Sequence, residues 1–184
     1  MNHEDHSRTG IVVFAFGTKP VHGNAILGRI ASTAASAYGM PVFSQGNFVE
    51  FARNVSVTRT PETAAKPWSS LRVARAAVEW AIGYCAAGSS PERSRLKKLI
   101  VVANPWHSDR AWEDLMDAVI ERPNCDITIL EGMGGQNIRF PGRNSKEWFD
   151  PASRFPQCRC RLCVSTYELM IRCLPRKLYR KIAS

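Results

Sequence analysis

The stretch Asn104-Pro105-Trp106-His107-Ser108-Asp109-Arg110 concentrates groups suited to acid–base work and anion binding. His107 and Arg110 are three positions apart, so a helix opening here projects both from one face near its N-terminus. An imidazole with an unperturbed pKa of ~6.5 can take or give a proton near neutrality. A neighbouring guanidinium can clamp a phosphate or carboxylate. These two residues are the catalytic candidates, and Asn104 is a ligand-binding candidate beside them. The plainer alternative has Asp109 charging the helix start, with His107 and Arg110 in water.

Other loops supply partners. Gly17, Thr18, Lys19, His22, Gly23 and Asn24 follow the first apolar run, IVVFAF at residues 11–16. Glycines let a backbone approach an anion, and a following helix offers unpaired N–H donors. The spacing matches neither G-x-G-x-x-G nor a phosphate loop ending in Gly-Lys-Ser/Thr. A plain strand-to-helix turn explains it as well as ligand contact does. Ser44, Gln45, Gly46 and Asn47 follow a second apolar run, and Glu131, Gly132, Gly134 and Gly135 follow the last one. Ser69, Ser70 and Arg72 open a helix and can serve either as its cap or as crevice contacts. No serine lies in a G-x-S-x-G elbow, so a hydrolase triad is not indicated.

Cys158, Cys160 and Cys163 form C-x-C-x-x-C, and Cys173 lies ten residues further on. Four thiolates could bind zinc or an iron–sulfur cluster. The spacing is not a standard pair of C-x-x-C knuckles, and Cys173 falls inside a helical pattern. Incidental thiols are the commoner explanation, so no metal is assigned. Cys85 and Cys125 read as ordinary core or surface residues.

The elements that must position these groups alternate. Strands are expected at 11–16, 40–44, 54–58, 99–103 and 127–130. Helices are expected at 24–38, from Ser69 or Ser70 to about 87, and at 107–121. Short apolar runs alternating with amphipathic helices imply right-handed βαβ units and a parallel sheet. The fold class is therefore α/β, a three-layer Rossmann-like sandwich. In such sheets ligands bind outside the carboxyl ends of the strands, near a topological switch point. That rule gathers these loops into one site. Residues 132–163 look irregular, and 164–182 are helical again. Tyr167, Met170, Ile171, Leu174 and Leu178 form the apolar stripe of that helix, and Pro175 should break or kink it.

Length and charge bound the rest. With 184 residues the chain fits one domain. Residues 1–150 form the α/β domain, and 151–184 form a basic extension whose helix packs on it. The net charge is +9. The extension contributes +7 of this, from eight Arg or Lys and the single acid Glu168. A basic amphipathic helix can bind nucleic acid or an anionic membrane surface. More often it docks its apolar stripe and leaves its charges in water. No apolar run approaches the roughly 18 residues of a membrane span, and the polar start MNHEDHSRTG does not read as a secretory signal. A cytoplasmic location and free thiols are the expectation.

The order of features over residues 11–131 resembles the YdcF-like (SanA/ElyC) superfamily. IVVFAFG resembles its opening strand and glycine. Residues 28–46, GRIASTAASAYGMPVFSQG, resemble its helix and following strand, with Ser44-Gln45-Gly46 in place of Ser-Gly-Gly. SSLRVARAAVEW at 69–80 is similar to its Ser/Thr helix start, without the usual Asn and with Glu62 as the nearest preceding acid. LIVVANPWHSDRA at 99–111 is similar to its strand, His and Arg-Ala segment. The resemblance implies a Rossmann-like fold binding a small nucleotide-like or phosphorylated ligand, with Gly17, Ser44, Gly46, Ser70, His107 and Arg110 at the site. No cofactor is assigned, and S-adenosylmethionine and a nucleotide are the candidates such a crevice could take. The residues do not decide between binding and catalysis. The rival function is a nucleic-acid or membrane module acting through residues 151–184.

Overall fold

Ile11, Val12 and Val13 are β-branched and carry no polar side-chain atom, which suits a strand covered on both faces. They sit at the centre of a five-stranded sheet and are fully buried. The computed structural model describes residues 8–16, 22–63, 66, 68–84, 95–130, 146–149 and 160–183. The strands are β1 (Thr9–Val13), β2 (Val42–Ser44), β3 (Val57–Arg59), β4 (Lys98–Val102) and β5 (Thr128–Leu130). Their order is β3-β2-β1-β4-β5, and every pairing is parallel. Val13 lies opposite Ser44 on one side and Val102 on the other, so three strands end at one level.

The helices are α1 (His22–Tyr38), α2 (Ser70–Gly83), α3 (Ser108–Ile120), α4 (Arg161–Cys173) and α5 (Arg176–Ala183). Strand alternation sends Ile11 and Val13 to the α1 face, against Leu27, Ile30, Ala34 and Trp148. It sends Val12 and Phe14 to the other face, against Val73 and Ala77 of α2 and Leu115 and Ala118 of α3. Helices on both faces give the expected three layers. Each fully buried Val, Leu or Ile side chain in these clusters contributes about 1.5–3 kcal/mol through removal from water. No helix among the described residues is long and apolar enough to cross a membrane.

Several boundaries differ from expectation. The first strand ends at Val13 rather than Phe16. Beyond it, side chains replace the ladder: Gln45 Oε1 accepts the Ala15 amide at 3.1 Å, and Asn24 Oδ1 accepts the Phe16 amide at 2.7 Å. The third strand begins at Val57 rather than residue 54. The C-terminal helix is two helices, and the first starts at Arg161. They part at Leu174–Pro175, where Leu174 adopts φ −72° and ψ 133°, the extended geometry favoured before proline. A turn of 3-10 helix at Lys146–Trp148 carries the fully buried Trp148. Most of the remaining irregular segment lies outside the described residues.

The docked face of the tail also differs. Val164, Glu168, Tyr179 and Ala183 are buried, with Ile171 and Leu174 partly buried. Met170 and Leu178, expected in the apolar stripe, are 63% and 44% exposed. The buried stripe of α4 carries a carboxylate at its middle, which an apolar pattern passes over.

Candidate functional site

The strand order reverses direction between β1 and β4, which makes their carboxyl ends the switch point of this sheet. The exit of β4 turns within a few residues into α3. Asn104 Oδ1 accepts the Trp106 amide at 3.0 Å, and the Asn104 carbonyl accepts the His107 amide at 2.8 Å. This turn fixes His107 as the residue that precedes α3. Arg110, one helical step later, returns toward it.

Arg110 Nη2 lies 2.8 Å from His107 Nδ1. A guanidinium can only donate, so Nδ1 accepts and the ring proton resides on Nε2. The ring is 9% exposed and meets the edge of Phe14 at a centroid distance of 6.1 Å. Burial, and then the Arg110 charge, push the His107 pKa below its ordinary value, although Glu168 and Asp114 oppose the shift. The neutral imidazole is the form this environment holds.

The pair is met by the extension. Glu168 of α4 places Oε1 3.3 Å from Arg110 Nη2 and 3.4 Å from His107 Nδ1. All three side chains are nearly buried. The tail approach is reinforced by Tyr167 under the Arg110 guanidinium at 5.4 Å, and by Arg161 over the Trp106 ring at 5.5 Å. Glu168 Oε2 and Arg110 Nε are buried without a hydrogen-bond partner among the described residues. Asn104 Nδ2 and Ser44 Oγ, at the carboxyl ends of β4 and β2, share that state. Thr9 Oγ1 at the start of β1 and Trp112 Nε1 within α3 share that state, so of these only Asn104, Arg110 and Glu168 bring such atoms to the exit of β4, where a polar ligand could satisfy them.

Gln45, Gly46 and the acid Glu62 form a brace. Gln45 Nε2 donates to Glu62 Oε2 at 3.3 Å and to the Trp68 carbonyl at 3.2 Å. Thr60 Oγ1 donates to Glu62 Oε1 at 2.6 Å and accepts the Gly46 amide at 2.7 Å. The Trp68 amide donates to Glu62 Oε2 at 2.6 Å. This network ties the exits of β1, β2 and β3 to the start of α2. Gly46 has φ +53°, a left-handed conformation that side chains disfavour, and a Cβ there would also strike Phe48. Asn47 is exposed.

Ser69 and Ser70 are engaged by the extension. Ser69 Oγ caps α2 by accepting the Arg72 amide at 3.2 Å, and it donates to the Ala183 carbonyl. Ser70 Oγ donates to Asp114 Oδ2 at 2.5 Å and lies 3.1 Å from Tyr179 Oη. Asp114 is fully buried and also receives Tyr179 Oη at 2.8 Å and Arg176 Nη2 at 2.8 Å. Arg72 stacks on the Trp68 ring at 4.1 Å. Both serines thereby hold α5 against the start of α2. Gly23 faces Trp148, where a Cβ would come within 3.1 Å of its carbonyl oxygen, and His22 is exposed.

Gly17, Thr18, Lys19, Glu131, Gly132, Gly134, Gly135 and Cys158 lie outside the described residues. Cys160 and Cys163 stand together at the start of α4, whereas Cys173 ends that helix. Ten residues of helix separate Cys163 from Cys173, about 15 Å at 1.5 Å per residue, which removes Cys173 from a shared metal site. No cluster of three or more His, Cys, Asp or Glu among the described residues could hold a metal ion. An open groove of about 730 Å³ lies elsewhere, between α1 and residues 50–52, and no strand-end candidate borders it.

Sequence reading therefore paired His107 with Arg110 but missed Glu168, Asp114, Tyr179 and the bracing role of Glu62. Glu168 was visible only as the lone acid of a basic tail. No family model, no curated protein and no solved structure matches this chain.

Proposed function

We propose that the chain is a YdcF-like α/β protein that binds a small anionic ligand, nucleotide-like or phosphorylated, at the β1–β4 switch point. Arg110 clamps the anion. His107, neutral and with Nδ1 unprotonated, accepts a hydrogen bond or a proton from a protonated group of the ligand, and proton acceptance is the enzymatic form of the proposal. Asn104 and Ser44 supply further polar contacts. One observation carries the reading: a buried cation and a neutral imidazole converge on a single carboxylate oxygen, and that carboxylate comes from a separate helix. The Glu168 carboxyl group stands where an anionic ligand group would. The ligand then competes with Glu168, and α4 moves when it binds.

The alternative, a nucleic-acid or membrane module built on the tail, is less well supported. Arg172 meets Asp109 at 2.6 Å, Arg176 meets Asp114 and Asp117 at 2.8 and 2.7 Å, and Arg180 meets Asp117. Charges paired within the fold are less available for phosphates. A cytoplasmic site of action belongs to the same proposal.

The test is a thermal-shift and calorimetric screen against inorganic phosphate, nucleotides, sugar phosphates and S-adenosylmethionine. Wild type, Glu168→Gln and Arg110→Gln are compared. A ligand of this site binds tighter to Glu168→Gln and weaker to Arg110→Gln. A ligand response that ignores both substitutions would refute the assignment.

A further inference from the structure

We propose that Cys160 and Cys163 form a thiol–disulfide exchange site at the start of α4, reactive toward small-molecule disulfides. The argument begins with spacing. Residues three apart at a helix start share a face, and here their sulfurs lie 3.1 Å from each other. Cys160 is the residue that caps α4, with φ −160° and ψ 168°. Its Sγ accepts the Cys163 amide at 3.4 Å. Cys160 is exposed and Cys163 half-buried, so a small reagent can reach the first sulfur while the second waits behind it.

The electrostatics agree with the geometry. The Cys163 amide, and then the Cys163 thiol, hold the Cys160 thiol below the usual thiol range. Unpaired N–H groups at a helix start favour a thiolate there. Cys173 supplies an internal control. It is also exposed, but it ends the same helix, where the dipole disfavours negative charge. The two thiols thus differ in position along one helix.

The chemistry balances as ordinary exchange. The Cys160 thiolate attacks one sulfur of a reagent R–S–S–R. A Cys160–S–S–R bond forms and one R–S⁻ leaves. Cys163 then loses its proton and attacks Cys160 Sγ, which expels the second R–S⁻. The protein ends with a Cys160–Cys163 disulfide and the reagent with two thiols. Two electrons pass from protein to reagent, and the two thiol protons end on the leaving groups. This site is independent of the anion-binding proposal.

The experiment uses the full chain treated with oxidised glutathione at neutral pH, followed by peptide mass mapping. The expected product is an internal Cys160–Cys163 disulfide, with Cys173 still alkylatable. Cys160 should react with iodoacetamide several-fold faster than Cys173. Cys163→Ser should trap one glutathione on Cys160, with circular dichroism confirming that the variant is folded. A Cys158→Ser chain should behave as wild type. The proposal fails if Cys160 and Cys173 alkylate at equal rates, if oxidation requires Cys158, or if the purified chain carries stoichiometric zinc on these thiols.

Discussion

Glu168 Oε1 lies 3.3 Å from Arg110 Nη2, and these side chains are 9% and 11% exposed. A carboxylate on the last helical hairpin thus closes on a cation at the start of α3. The contact is the best-defined link between the tail and the switch point. Breaking a buried pair from one side leaves an uncompensated charge and costs about 3–5 kcal/mol. Glu168→Ala and Arg110→Ala should each destabilise by about that much in urea unfolding, and the double variant by less than their sum. Additive losses would show that the two side chains do not interact.

The second expectation concerns pH. The folded state holds His107 below its ordinary pKa, so the unfolded chain binds its proton first as pH falls. The contribution of the neutral ring is complete above the unfolded value of ~6.5 and is lost as pH drops from there toward the folded value. Protonation would also place a hydrogen on Nδ1, which ends the bond from Arg110 and faces Glu168 Oε1 3.4 Å away. Wild type should begin to lose stability as the pH falls below about 6.5, above the range where carboxylates such as Asp117 begin to titrate. His107→Gln should flatten that window. A profile unchanged by the substitution would place the sensitivity on another group.

Much of the scaffold was legible because its signals are local. Runs such as LIVV at 99–102 read as buried strands because they are short and rich in β-branched residues. Alternation with helices then dictated the parallel order. His107 and Arg110 could be paired because three residues separate them. Glu168 could not be attached to them, since a contact spanning 58 residues of sequence leaves no periodic trace. The same holds for Ser70, Asp114 and Tyr179, which three different helices bring together. Ser70 looked like a cap or a ligand contact because its true partners lie on α3 and α5. The first strand was expected to run three residues further because Phe14–Phe16 is apolar, and to start two residues later, whereas the amides at 15 and 16 are claimed by Gln45 and Asn24.

Close packing at α1 supports a third prediction. A Cβ on Gly28 would overlap the Glu50 carbonyl oxygen, and that atom belongs to backbone that cannot swing aside. The strand of chain there is also held by Ser32 Oγ, which accepts the Ala52 amide at 2.9 Å. Gly28→Ala should therefore cost about 1–3 kcal/mol or more, despite the better helix propensity of alanine. Ser32→Ala, which removes one hydrogen bond, should cost about 1 kcal/mol. Urea midpoints rank the two. A neutral or stabilising Gly28→Ala would mean that residues 49–52 do not rest on α1.

Asp114 offers the sharpest test of how the tail is fastened. It is fully buried, and it receives hydrogen bonds from Ser70, Tyr179 and Arg176 on two other helices. Burial, followed by the Asp114 charge, pushes the Tyr179 hydroxyl well above its ordinary pKa, so it remains a donor throughout the accessible pH range. Asp114→Ala leaves those donors unmatched and should destabilise by about 3 kcal/mol, while Tyr179→Phe removes one donor and should cost about 1 kcal/mol. The two losses should share a consequence beyond global stability. With its anchor weakened, α5 opens before the sheet does, and α4 carries Glu168 away from Arg110 with it. Limited proteolysis should then cleave near residues 174–176 in Asp114→Ala first, in Tyr179→Phe next and in wild type last. Equal cleavage rates in all three would show that the tail is held by something other than this carboxylate.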